Sequence, residues 1–298
     1  MKIFLTGATG YIGAAVARAL QDAGHSVTGL ARSDKAVQKL EGRGQAAHRG
    51  DLTDLEALTL GARSADAVIH TASANDATSP QTDPPAITAM LDALAGTDKP
   101  FLYTGGLWEI GDTGGNSVDE TFIGRPAALV AWRPAVTQHV LDAAWRGVQS
   151  AVIRPGLVYG HGGGMMAMLT QSARRDGVVR YIGTGENHWT MVHVDDLADL
   201  YVRALQAPAG TLLFGAAGDP VRARDVAEAA SLGGGAAGRT RSWPLEEARQ
   251  VFGPIADALV LDQQATGARA CHLLGWSPQA PSVLDDLSYG SYATLSES

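Results

Sequence analysis

A glycine-rich turn near the start of this chain constrains its fold more than any other feature. Gly7-Ala8-Thr9-Gly10-Tyr11-Ile12-Gly13 stands between an apolar strand pattern, Lys2–Thr6, and an alanine-rich helix pattern, Ile12–Ala23, that stops at Gly24. Residues without a Cβ let the chain turn tightly and let its backbone approach a pyrophosphate. The helix behind the turn offers free N–H groups and the positive end of its dipole to that anion, and the last glycine lets helix and strand pack closely. Spaced glycines alone are a weak signal in a chain that holds 36 of them. Placed between a strand and a helix, they mark the start of a dinucleotide-binding unit.

The pattern continues as strand–helix alternation. Strands are predicted at Ser26–Leu30, Ala67–His70, Phe101–Thr104 and Ser150–Ile153, and helices at Asp54–Ala62, Pro85–Ala95 and Pro126–Trp145. This spacing predicts an α/β fold: a Rossmann-type doubly wound parallel sheet with helices on both faces. After Pro155 the glycine content rises. Gly162-Gly163-Gly164, Gly183–Asn187 and Gly233-Gly234-Gly235 read as loops, while a helix at Asp195–Leu205 and a strand at Thr211–Phe214 return to the sheet. We therefore expect a dinucleotide-binding domain of residues 1–157 with 190–215, and a smaller substrate lobe of 158–189 with 216–298. The polar tail after Tyr292 reads as loose.

Composition limits the partners. A net charge of −8 argues against nucleic acid and anionic membrane, and no apolar run is long enough to span a bilayer. The single cysteine, Cys271, fits a reducing compartment and reads as a packed core thiol, so a cytoplasmic setting is expected.

The residues after the second strand bear on cofactor choice. An NAD-preferring site places an acid there for the adenosine ribose, whereas this chain has Ala31-Arg32-Ser33-Asp34-Lys35. Ala31 removes the carboxylate that would repel a 2′-phosphate and Arg32 supplies a planar fork to bind it, which points to NADP(H). The plainer alternative is that Arg32 and Lys35 solvate a helix start. Asp51 is placed to accept from the adenine amino group, or to cap the following helix. The small residues His70-Thr71-Ala72-Ser73 leave room for the cofactor backbone.

Taken together, these residues resemble the extended, epimerase/dehydratase-like branch of the short-chain dehydrogenase/reductase superfamily. The resemblance rests on Thr6–Gly13, Gly50-Asp51-Leu52, Ile153-Arg154-Pro155-Gly156-Leu157-Val158-Tyr159-Gly160, Val192–Ala198 and Leu274-Gly275-Trp276-Ser277-Pro278. It implies that Gly7, Thr9, Gly10, Tyr11 and Ile12 line the pyrophosphate, Arg32 the 2′-phosphate, and Asp51 and Leu52 the adenine. It further implies Thr71, Ala72 and Ser73 along the adjoining ribose and diphosphate, Thr104 and Arg133 at the nicotinamide ribose, and Pro155, Gly156, Leu157 and Val158 against the nicotinamide. Pairing through the two long helices would make a homodimer.

The same resemblance exposes departures. The family's chemistry uses a Ser or Thr with Tyr-x-x-x-Lys, the tyrosine moving a proton to or from the substrate oxygen. Here Gly106 falls at the hydroxyl position, Leu129 at the tyrosine and Arg133 at the lysine. Trp189 stands where nucleotide-sugar enzymes of this branch hold a diphosphate with arginine. With Trp108, Trp132 and Met165, Met166 and Met168, it suggests an apolar or aromatic substrate pocket around Gly106; ordinary core packing is the alternative. Tyr159 and His161 follow the nicotinamide-facing segment and are the candidate proton donors, with Tyr103, Asp112, Asp119 and Glu120 less supported. Scattered histidines predict no metal, and Asp195-Asp196 reads as a helix cap. The expected function is NADP(H)-dependent oxidoreduction of a small, largely apolar carbonyl, imine or conjugated substrate. Its alternatives are a non-catalytic NADP(H)-binding sensor or partner-binding protein, and an isomerase or lyase with internal redox.

Overall fold

The computed structural model describes residues 1–74 and 76–293; the tail beyond residue 293 lies outside the described residues. Seven strands form the main sheet: β1 (Lys2–Thr6), β2 (Ser26–Ala31), β3 (Ala46–Arg49), β4 (Ala67–His70), β5 (Pro100–Thr104), β6 (Gln149–Pro155) and β7 (Thr211–Gly215). All pairings are parallel, in the order β7-β6-β5-β4-β1-β2-β3. Strand order reverses between β1 and β4, so their carboxyl ends frame the crevice where such sheets bind ligands.

The helices in chain order are α1 (Tyr11–Asp22), α2 (Asp34–Glu41), α3 (Leu55–Ser64), α4 (Ser79–Leu94), α5 (Arg133–Asp142), α6 (Gly164–Asp176), α7 (Val194–Ala204), α8 (Ala223–Gly233), α9 (Leu245–Phe252), α10 (Ile255–Leu259), α11 (Ala268–Leu274) and α12 (Val283–Tyr289). Alternation along β1 shows why both sheet faces are covered. Ile3 and Leu5 pack with Val16 and Leu20 of α1 and Leu200 and Tyr201 of α7. Phe4 points the other way, into Leu58 of α3, Met90 of α4 and Val140 of α5.

A second core lies beyond the sheet, where Met166, Val179, Val226, Ala230, Val283 and Leu287 join α6, α8 and α12. The segment after β5 also joins the carboxyl-terminal part: Ser117–Val118 pairs with Gln264–Ala265, and Leu107 and Ile110 pack against Phe214 and Ala265.

Several sequence expectations need adjusting. The predicted helix Pro126–Trp145 is α-helical only over Arg133–Asp142, flanked by 3-10 turns at Ala128–Val130 and Ala143–Arg146. Helix α4 starts at Ser79 rather than Pro85, because Pro80 occupies a first-turn position that needs no N–H donor. Gly164 opens α6 and Gly233 closes α8, so two residues read as loop belong to helices. Cys271 is exposed on α11 rather than packed in the core.

Candidate active site

The glycine turn has the shape its sequence requires. Gly7 sits at φ +78°, where a side chain is strained, and a Cβ there would come within 2.6 Å of Thr71 Oγ1 and 2.9 Å of the Ala72 nitrogen. A Cβ on Gly13 would overlap the Gly7 carbonyl. Gly10 caps α1 with no side-chain acceptor, so the first N–H groups of that helix are left for an anion. The loop thus presents bare backbone beside an uncapped helix start, a cradle that fits a dinucleotide pyrophosphate. Thr71 Oγ1 donates to the Thr6 carbonyl at 2.8 Å, locking β4 to β1 under this cradle. The Tyr11 hydroxyl turns away and donates to the Gly160 carbonyl at 2.7 Å.

At the adenosine end, Arg32 is exposed at the end of β2 and Ser33 caps α2. Two cations missed in the sequence reading stand against the glycine turn: Lys39 Nζ donates to the Thr9 carbonyl at 2.7 Å, and Arg43 reaches the Ala8 carbonyl at 3.5 Å. Asp51 does not cap α3. Its carboxylate accepts from the Thr53 hydroxyl and backbone, which holds its pKa below the usual range, while Asp54 caps the helix through the Ala57 N–H. Leu52 packs against the core on the α3 side of the sheet.

A cleft of about 670 Å³ opens at the carboxyl ends of the strands. One wall is Pro155, Gly156, Leu157 and Val158, with Ile12 and Ser73 nearby. Gly106, Trp108, Leu129, Val130, Trp132 and Arg133 form another, and Phe252, Pro254 and Ile255, at the joint between α9 and α10, close over it. Apolar and aromatic carbon therefore dominates the lining, with a few convergent polar groups, as in small-molecule sites.

Two of those polar groups are tied down from below. The Glu109 side chain is fully buried; it accepts from Arg154 at 2.8 and 3.1 Å, from the Thr137 hydroxyl at 2.7 Å and from the Gly106 N–H at 3.0 Å. Arg133 donates to Ser73 Oγ and the Thr104 carbonyl, each at 3.3 Å, and to the Tyr103 hydroxyl at 3.4 Å. The Thr104 hydroxyl is engaged with that of Tyr201. Behind Tyr103 lies His70, fully buried and stacked on it. Its Nδ1 meets Thr6 Oγ1 at 2.7 Å, and burial, aided by the Arg133 charge, lowers its pKa to about 3.

The candidate proton donors from sequence fall outside this cleft. Tyr159 is buried and donates to the Pro281 carbonyl at 2.7 Å, and burial pushes its pKa up. His161 is exposed and pairs with Asp195 at 2.7 Å. Trp189 packs in the second core with its indole N–H on the Leu259 carbonyl, and Met166 is buried there too; neither it nor Met165 or Met168 lines the cleft. Asp112, Asp119 and Glu120 accept from backbone groups, as structural acids do.

His161, His193 and Asp195 come together, a cluster the sequence spacing did not suggest, with one ligand atom each within 4.8 Å of the others. Asp195 already pairs with Arg18, and His193 Nδ1 accepts the Asp195 N–H. His193, rather than either aspartate, is thus the cap of α7.

A doubly wound sheet, a glycine cradle at its switch point and a cleft beside it define a Rossmann nucleotide-binding protein. The sequence profile of the NAD dependent epimerase/dehydratase family matches residues 3–99 and 133–213. An uncharacterized protein of Schizosaccharomyces pombe is 32% identical over 98% of this chain and 100% of its own length. The 2-alkyl-3-oxoalkanoate reductase of Stenotrophomonas maltophilia is 27% identical, covering 76% of this chain and 73% of its own. Among solved structures, the UDP-glucose 4-epimerase of Thermotoga maritima superposes with a TM-score of 0.82 at 19% identity, over 98% of this chain and 97% of that one. The chain belongs to the NAD-dependent epimerase/dehydratase family, within the extended short-chain dehydrogenase/reductase superfamily, and NAD(P) is the cofactor expected of it.

Proposed function

We propose that this protein is an NADP(H)-dependent oxidoreductase acting on a small, largely apolar carbonyl, imine or conjugated substrate. The observation that carries this reading is the cleft, where Trp108, Leu129, Trp132, Phe252 and Ile255 face the Pro155–Val158 wall. An apolar acyl or aromatic body is desolvated there at little cost, whereas a nucleotide diphosphate would meet few partners. The 2-alkyl-3-oxoalkanoate reductase relative, whose named substrate carries an alkyl chain beside a ketone, supports the same chemistry.

NADPH would supply the hydride. The Gly7–Gly13 backbone and the start of α1 would bind its diphosphate, and Arg32 its 2′-phosphate. Arg133 would donate to ribose hydroxyls in the manner of the family's lysine, and the aromatic walls would exclude water. Work as a homodimer in the cytoplasm, with no nucleic-acid or membrane partner, belongs to the same reading.

The second reading, an NADP(H)-binding sensor without turnover, is favoured by Gly106 and Leu129, neither of which can move a proton. NADPH oxidation at 340 nm across a panel of alkyl ketones, cyclic imines and enones tests the proposal; turnover of any member supports it. NADPH binding without turnover of any member supports the sensor, and product without net NADPH consumption an isomerase.

A further inference from the structure

Beside the cleft lies a carboxyl group that nothing above employs. Asp83, inside α4, is 1% exposed. Its Oδ2 lies 2.6 Å from Ser73 Oγ, a contact in which the serine donates to an ionised carboxylate and a neutral carboxyl donates to the serine, and among the described residues its Oδ1 has no hydrogen-bond partner. A buried carboxylate with one bare oxygen is costly, whereas a neutral carboxyl has only one strong group to place. Burial accordingly raises its pKa. Ser73 lines the cleft together with Ser79 and Arg133, and Arg133 reaches both members of the pair, donating to Ser73 Oγ at 3.3 Å and standing 3.9 Å from Asp83 Oδ2.

We propose that Ser73 is the proton donor of the reaction and that Asp83 is the positioning residue behind it, holding the proton that refills the serine. Together they replace the hydroxyl that Leu129 lacks. This rests on the oxidoreductase reading above. The substrate carbon accepts a hydride from NADPH, which becomes NADP⁺, and the π electrons move onto the substrate oxygen or nitrogen. That atom takes the Ser73 hydroxyl proton, and the Asp83 Oδ2–H bond breaks to restore the serine. The carboxylate left behind faces the Arg133 guanidinium, which stabilises it until water returns a proton.

The groups facing Asp83 agree with a poised acid. Burial, the largest influence, and the Asp76 charge before α4 favour the acid, while the Ser73 hydroxyl, Arg133 of α5 and the Ala74 N–H favour the carboxylate; the net direction is upward. Tyr103 of β5 is a phenol raised by burial, neutral over the working range, as is His70 stacked behind it.

Infrared difference spectroscopy of the protein, with Asp83→Asn as reference, tests this directly. A protonated-carboxyl C=O band at pH 7 that is missing in the variant is the expected result. Reductive turnover should fall as pH rises through the titration of that band. Asp83→Asn should abolish this pH dependence and lower kcat by about a hundredfold or more, with NADPH affinity kept within a few fold. Ser73→Ala should keep the band and lose the turnover, which tests the pair even if Asp83→Asn folds poorly. An ionised Asp83 at pH 7 in an active enzyme, or wild-type turnover in either variant, overturns the relay and leaves the oxidoreductase reading standing. Absence of any turnover by the wild-type protein overturns both.

Discussion

Removing the buried charge at Glu109 probes how the cleft floor is held. Glu109→Gln keeps shape and one amide oxygen for the Gly106 N–H, but leaves the Arg154 guanidinium, 11% exposed, without its anion. Breaking one side of a buried ion pair costs about 3–5 kcal/mol. An unfolding entropy of about 2.1 cal/mol/K per residue over 298 residues gives about 0.6 kcal/mol/K, so Tm should drop by about 5–8 °C. Arg154→Met should cost a similar amount, since it strands the Glu109 carboxylate. The double variant Glu109→Gln/Arg154→Met should lose clearly less than the sum, with a coupling of about 2 kcal/mol. Urea unfolding of the four proteins closes the cycle. Single losses under about 1 kcal/mol that simply add would refute the picture of a desolvated pair fixing Gly106 and the turn after β5.

Other consequences are equally checkable. Arg32→Ala should weaken NADPH by roughly ten- to a hundredfold and NADH by little, measured by quenching of protein fluorescence. Phe252→Ala should raise KM for the best apolar panel substrate by about tenfold while leaving NADPH affinity unchanged, because Phe252 lines the cleft from α9. His70 makes stability depend on acid: its folded-state pKa of about 3 lies below its unfolded value of 6.5. The native state therefore refuses a proton that the unfolded chain accepts, so this stability is full above pH 6.5 and drains as pH falls toward 3. Between pH 7 and 5, wild type should lose about 2 kcal/mol more than His70→Asn, read from urea midpoints.

Most of the sheet was legible because parallel strands buried on both faces leave short, continuous apolar runs. Ala67–His70 and Lys2–Thr6 coincide with observed strands. Helices bordered by proline and glycine were harder. The sequence reading opened the fourth helix at Pro85, yet Pro80 lies in the opening turn of α4 and Pro84 and Pro85 lie inside the helix. At the other extreme, the apolar stretch before Arg133 read as helix but forms only a short 3-10 turn. The glycine turn was readable because its residues are contiguous and each glycine answers a local constraint. The contacts inside the cleft were not: Ser73 after β4, Asp83 of α4 and Arg133 of α5 meet there, and Glu109 finds Thr137 and Arg154 across the chain. No local pattern announces such partners. Tyr159 and His161 drew attention because they follow Pro155–Val158, the segment the resemblance places against a nicotinamide, but they contact Pro281 and Asp195 instead of lining the cleft.

On the proposed reading, the glycine turn and Arg32 hold a phosphorylated dinucleotide. Calorimetric titration of the purified protein with NADPH and NADH at matched ionic strength tests it most directly. The expected result is one site per chain with NADPH bound at least about tenfold more tightly. Equal affinity, a preference for NADH, or no binding of either would contradict it.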